Sequence, residues 1–287
     1  MHSRVVKAKG SAGRRSWWAR LSISLKVGVF LILLILLMVL ASAINPTNPN
    51  LTTPNRLAPI FAEGHPLGTD ILGRDTLARV LAGAQNALYV GLIAVGIGLS
   101  VGLLLGVLAG YLGGWIDQIL SVLLETLYAL PALLIALLFA AIFNPGVTTS
   151  MVAIGLAAVP AFARVARASV LSVKALPYIE AARALGMGNG RIMLRHVLPN
   201  IIGPLVVQAS LAFAVAILAE AALSYLGLGT QPPNPSWGRM LREAQSYQEL
   251  TPYPVIFPGL AIGLAVLGFN LLGDGLRDYL DPRKRSQ

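Results

Sequence analysis

The sequence contains no cysteine. Disulfides, thiolate metal sites and cysteine nucleophiles are therefore excluded. Charge is scarce too: 12% of residues are charged, against about 25% in soluble domains. Histidine occurs only at 2, 65 and 196, too scattered for an evident metal site, and no HExxH motif is present. Lysine occurs only at 7, 9, 26, 174 and 284, and none follows a glycine. That rules out the phosphate-cradling loop GxxxxGK followed by Ser or Thr. The net charge of +10 suggests nucleic acid at first sight. The basic residues lie between apolar runs, however, and not on one soluble face, so nucleic acid is not expected as a partner.

What is abundant is apolar surface. Of 287 residues, 56% are hydrophobic, and the mean hydropathy is +0.72. A helix needs about 20 apolar residues to cross a hydrocarbon core of about 30 Å. The charge-free runs give an all-α fold, a polytopic membrane bundle of six transmembrane helices near 27–43, 86–109, 120–143, 147–165, 201–226 and 255–275. The triplet Asn144-Pro145-Gly146 divides a run too long for one crossing. No strand-like alternation competes. Ala41-Ser42-Ala43 after a basic tail has the look of a signal-peptide cleavage site, and Arg14-Arg15 that of a twin-arginine signal. The long apolar run and the further spans favour an uncleaved anchor, with the arginines simply part of the tail.

Lysine and arginine set the orientation. With the N-terminus inside, the inner segments hold 17 such residues and the outer ones 5. Both termini are expected in the cytoplasm of a multi-pass protein of the inner, or plasma, membrane. The expected division is a basic cytoplasmic tail 1–26, a first span 27–43, an external loop with an amphipathic helix 44–85, a core 86–275 with a cytoplasmic loop 164–199, and a cytoplasmic tail 276–287.

That loop carries EAARALGMGNGRIMLRHVLP over 180–199. It is too short for an independent domain and reads as two short helices. Pro177 suits a first helical turn. Glu180 and Arg183 are spaced for an i,i+3 pair. Gly186 fits a left-handed cap, and Gly188 and Gly190 keep the turn tight. A second helix, 191–198, is expected to halt at Pro199. Ala181 and Ala182 leave a small-residue face on which another surface can sit. From spacing alone, a solvated loop touching anionic lipid is the leading reading.

Glu180, Ala181 and Ala182, then Gly186, then Leu198 and Pro199 resemble the cytoplasmic loop motif of binding-protein-dependent permeases, the membrane subunits of ATP-binding cassette importers. HPLGTDILGRDTLAR (65–79), LSYLGLGTQPPNPSWGRM (223–240) and the stretch 258–283, ending GDGLRDYLDPR, are similar to segments of the dipeptide, oligopeptide and nickel branch, best matching its C-type partner. There are departures. Gln85 stands where members often carry arginine, and Ser121-Val122 and Glu125 follow Gly114-Trp115-Ile116-Asp117 in place of the usual pattern. The resemblance implies a type I importer permease fold and a coupling helix at 177–199 that docks in an ATPase subunit. It also implies several partners: a second permease subunit, two ATPase subunits carrying ATP and Mg, an external substrate-binding protein, and membrane lipid. This chain itself would bind no cofactor and would not be an enzyme. Di- or oligopeptides are the implied cargo, with nickel chelates or glutathione-like solutes as the alternative.

Several polar residues stand out within or beside the spans. Glu220 either lines the route or forms a hydrogen-bonded link to a partner or to the following loop. Asn270 poses the same choice. Asp274, Arg277, Asp278 and Asp281 crowd the end of the last helix, where Arg277 is spaced to pair with Asp274 and Asp281. Asp70 and Arg74 form another i,i+4 candidate. Prolines 131, 160, 204 and 258 suggest bent spans. An ATP-independent carrier would need midplane charge, which is nearly absent, and a membrane-embedded enzyme would need an evident catalytic pair within the spans.

Overall fold

The computed structural model describes residues 21–280. The tails at 1–20 and 281–287, with Arg14, Arg15 and Asp281, lie outside the described residues. Ten α-helices follow one another: α1 (Ile23–Ile44), α2 (Thr76–Leu112), α3 (Gly114–Ala129), α4 (Ala132–Phe143), α5 (Val147–Lys174), α6 (Pro177–Ala184), α7 (Asn189–Ile192), α8 (Leu198–Leu226), α9 (Trp237–Ala244) and α10 (Tyr253–Leu280). Among the described residues β-structure is limited to two isolated bridges. Five helices are long and apolar enough to span, or six if α3 and α4 form one broken span.

The helices start earlier than the charge-free runs suggest, because capping residues precede the apolar stretch. Ser22 accepts a bond from the Leu25 amide at 3.2 Å, and Asp75 from the Ala78 amide at 2.7 Å. Lys26 and Arg79 therefore lie inside helices, and residues 76–85 belong to α2. No separate amphipathic helix occupies 45–75; the segment is a chain of turns. The expected third span, 120–143, is broken. Leu130 is extended and α3 and α4 diverge by 85°. Pro131 removes a donor and pushes its predecessor out of the helical region. Pro160, Pro204 and Pro258 remain inside continuous helices.

The α2–α5 contact organises the bundle. Gly98, Gly102, Gly106 and Gly110 fall one turn apart on α2, and each faces α5. A methyl group at Gly102 would sit 2.6 Å from the Phe162 Cβ and 2.7 Å from the Val159 carbonyl oxygen. Such stripes let membrane helices approach until their backbones touch. Phe162, Ala163, Ala166 and Val170 are fully buried on the α5 side. A second core joins α1, α2, α8, α9 and α10 around Ile35, Ile217 and Trp237. The Trp237 indole donates to the Val80 carbonyl at 2.9 Å, and Phe213 and Phe269 stack at 4.2 Å between α8 and α10.

One end of the bundle gathers α6, the start of α1 and the end of α10, since Leu25 packs on Gly275, Leu280 approaches Gly203, and Ile179 of α6 shares a core with Ile201. The opposite end carries α9 and the 45–75 segment.

Candidate coupling surface and buried polar sites

At the α6 end, Leu176 is extended and Pro177 occupies the first helical turn. Gly186 adopts φ +77°. Its amide donates to the Arg183 carbonyl at 2.9 Å, and the Met187 amide to the Ala182 carbonyl at 3.0 Å. These two bonds make a Schellman cap, whose left-handed position favours glycine. Gly188 has φ −64° and Gly190 lies inside α7, so the expected tight turn needs neither. The expected halt at Pro199 does not occur. From α7 the chain passes through a π-helical turn, Met193–Val197, directly into α8. Such a turn re-satisfies the backbone where proline removes a donor.

Ile179 and Ala182 turn inward with Ile192 and Ile201. Glu180, Ala181, Gly186 and Pro199 face outward and Leu198 is half-buried. The alanines thus split: only Ala181 is on the open face. Leu185, just before the capping glycine, is 86% exposed. Arg183, Arg191 and Arg195 are exposed around it. The expected Glu180–Arg183 pair is not formed; the Arg183 guanidinium lies 6.0 Å from the Tyr111 ring centroid. Tyr111 is the joint that holds this region. Its hydroxyl bonds Asn189 Oδ1 at 3.0 Å, and Lys174 Nζ donates to its carbonyl at 2.7 Å. Sequence reading passed over Tyr111, because its partners lie 63 and 78 positions away. Leu185 was readable as a large apolar residue in a polar loop.

Beside this end, Arg167 of α5 grips Asp117 of α3 with two bonds of 2.6 Å. Arg164 lies 4.3 Å from the Tyr128 ring centroid. The stripe Asp117, Ser121, Glu125, Tyr128 therefore faces the two α5 arginines.

Glu220 is buried in α8. Its Oε1 accepts from the Ser224 hydroxyl at 2.6 Å, the Thr230 hydroxyl at 3.0 Å and Asn86 Nδ2 at 3.2 Å. The carboxylate thus ties α8 to α2 and to the segment after α8. Asn270 is half-buried in α10, remote in sequence from this network. Asp274 and Arg277 are exposed, and no ion pair joins them among the described residues; Asp278 is half-buried on the same helix.

The α9 end holds the largest charge cluster. The expected pair forms, with Arg74 Nε to Asp70 Oδ2 at 2.6 Å. Sequence reading missed the rest. Glu243 Oε2 accepts from Arg74 at 2.6 Å and Arg79 at 3.0 Å, and its Oε1 lies 2.8 Å from Arg239 Nε. Arg79 is 1% exposed. Burial, then the Asp70 and Glu243 carboxylates, push the Tyr247 phenol up to about 12. His65 bonds Asp75, the α2 cap, at 2.8 Å. Among the described residues no three His, Asp or Glu side chains form a metal-holding group.

One end of the described bundle presents a capped, exposed helical loop. The family of binding-protein-dependent transport system inner membrane components matches residues 102–286. The chain belongs to that family. It is 44% identical over 246 residues, 86% of this chain and 79% of the relative, to the dipeptide transport system permease protein DppC of Alkalihalophilus pseudofirmus. It is 42% identical over 276 residues, 95% and 92% of the two chains, to the glutathione transport system permease protein GsiD of Pectobacterium atrosepticum. An inward-facing structure of the MetNI methionine ABC transporter superposes with a TM-score of 0.59 at 19% identity, covering 70% of this chain and 96% of that one. This likeness supports the fold. The chain is an inner-membrane permease subunit of an ABC importer, a multi-pass transport protein.

Proposed function

We propose that this permease forms half of the translocation pathway for di- or oligopeptides, and that loop 177–199 is where ATPase motion enters it. The carrying observation is the exposed α6 tip, fixed from behind by the Schellman cap and by Tyr111. Leu185 and Leu194, 86% and 69% exposed, give the loop an apolar outer surface of the kind a partner's cleft would cover. Two separate ATPase subunits, holding ATP and Mg and carrying out the hydrolysis, close on the paired loops. The helices then shift between inward- and outward-open states, and an external binding protein delivers solute to the second. The other half of the route comes from a second permease subunit, and lipid surrounds the pair. Both termini and α6 face the cytoplasm. The 17:5 division of lysine and arginine supports this, as does the gathering of α6, the start of α1 and the end of α10 at one end.

Glutathione-like solutes are the second reading for cargo, supported by the GsiD relative, whose match spans more of the chain; nickel chelates are a third. Radiolabelled uptake of each, with the co-encoded binding protein, separates them. The docking role is tested by Gly186→Val and Glu180→Lys in the assembled transporter. Both variants should insert normally, lose ATPase co-purification and lose transport. Gly186→Val strains a left-handed backbone position, whereas Glu180→Lys changes only the exposed face. Normal co-purification and uptake in both would refute the proposal.

A further inference from the structure

The exposed faces of the long helices differ in chemistry. On α1 the exposed side chains are apolar, among them Phe30, Leu33, Leu37 and Leu40. On α8 they include Ile202, Val206, Val215 and Leu218, and on α10 Ile256, Leu260 and Leu267. These faces suit lipid. On α2 the exposed face is mixed: Gln85, Tyr89, Gly96 and Ser100 alternate with Leu92 and Ile93, of which Leu92 is 66% exposed. At 100° per residue these positions fall within one stripe. The stripe lies opposite the glycine face that packs on α5. It runs about 22 Å along the helix, most of a hydrocarbon thickness of about 30 Å.

The Gln85 amide at the outer edge of the span and the Tyr89 phenol one turn further in are poorly placed against acyl chains, since hydrocarbon offers them no partner. Tyr89 is 56% exposed. Nothing lies within 4 Å of a Cβ built on Gly96, so the backbone there is bare. The Ser100 hydroxyl donates to the Gly96 carbonyl at 2.7 Å, which leaves the hydroxyl oxygen able to accept. The stripe has hydrogen-bonding capacity, an aromatic edge and open backbone, but no charge. A face that must admit solutes of varied side chain needs those properties, because a fixed charge would retain some and repel others.

We infer that Gln85, Tyr89, Gly96 and Ser100 line the aqueous solute route, and that their ligand class is uncharged polar groups such as the amides of a short peptide. The inference rests on the import function proposed above. The native absence of cysteine allows a direct test. Gln85→Cys, Tyr89→Cys and Ser100→Cys are made singly in the complete transporter, with Leu33→Cys and Leu37→Cys on α1 as lipid-facing controls. Ser100→Cys is nearly isosteric, so it guards against misfolding of the larger changes. A charged methanethiosulfonate reagent reports water access, because only the hydrated thiolate reacts.

The stripe positions should react at least about tenfold faster than the α1 controls. Labelling should abolish uptake of radiolabelled dialanine, and dialanine with ATP should slow the labelling. Reactivity no higher than at Leu33→Cys overturns the inference, whether lipid or a helix of the second permease covers the face. Rapid labelling that leaves uptake unchanged overturns it as well. If the unsubstituted transporter imports neither dialanine nor glutathione, the import reading fails and the inference falls with it. Import by the unsubstituted transporter with unreactive stripe positions removes the inference alone.

Discussion

Glu220→Leu should destabilise the subunit, while Glu220→Gln should leave it stable and active. In the folded chain one carboxylate oxygen accepts from Ser224, Thr230 and Asn86. Ser224 and Thr230 are 0% and 1% exposed, so water cannot replace the lost acceptor. Asn86 keeps a bond to Thr230 at 3.1 Å, and so loses least. Two stranded buried hydroxyls at about 1.5 kcal/mol each cost roughly 3 kcal/mol. At roughly 2–4 °C per kcal/mol, that lowers the melting temperature by about 6–12 °C. Fluorescence-detected melting of the detergent-solubilised transporter reads this directly. Glutamine keeps an acceptor oxygen at the same reach, so Glu220→Gln should melt within about 2 °C of the parent and transport normally. If leucine melts like the parent, the hydrogen-bond reasoning is wrong. If glutamine melts normally but abolishes uptake, the carboxylate serves the route by its charge, and its role as a helix link is secondary.

Two further outcomes test the framework around it. Glu243→Gln removes the carboxylate shared by Arg74, Arg79 and Arg239, leaving Asp70 to balance three guanidiniums; about 3–5 kcal/mol of stability should be lost, and limited proteolysis should cut first within 45–75. Gly102→Leu forces a side chain into a gap where even a methyl would meet Phe162 at 2.6 Å; the strain should exceed 1–3 kcal/mol, roughly the cost of ordinary overpacking, with a correspondingly lower melting temperature. Unchanged melting in the latter would mean that α2 and α5 do not pack through this stripe.

Reading from sequence succeeded where the signal is local. Spans follow from apolar length, the Gly186 cap from a glycine at the end of a short helical run, and the Asp70–Arg74 pair from its i,i+4 spacing. It failed where tertiary context decides. Pro131 and Pro160 look alike in sequence, yet one breaks its helix and the other does not. Pro160 is buried within α5, which the α2 glycine stripe supports along its length, whereas the residues around Pro131 are largely exposed. Helix starts were set too late because charge was used as a boundary, and Arg79 violates that rule. Its charge is tolerated inside the helix because Asp70 and Glu243, the latter 164 positions away, come to meet it. No local spacing reveals such a partner.

The two ends of the molecule are held by different chemistry, and this bears on how a push at α6 would travel. At the α9 end, buried ion pairs lock the 45–75 segment, α2 and α9 together. At the α6 end the loop is tied by a few neutral or cation–aromatic contacts converging on Tyr111, the penultimate residue of α2. Between them α2 and α5 touch at backbone distance over four successive turns, and an interface that close shifts as a unit. On the proposed coupling role, force applied to α6 would reach Tyr111 and move the α2–α5 pair together. In that case α3 would be the compliant element. It joins α2 through Gly113 and Gly114, both at positive φ, while Asp117 keeps hold of Arg167 on α5. Reversing a 1:99 preference between states needs roughly 5.5 kcal/mol, more than a soft helix pair could pass on without deforming. The glycine stripe would supply the stiffness for that transfer, and the α3–α4 break a place for the accompanying bend.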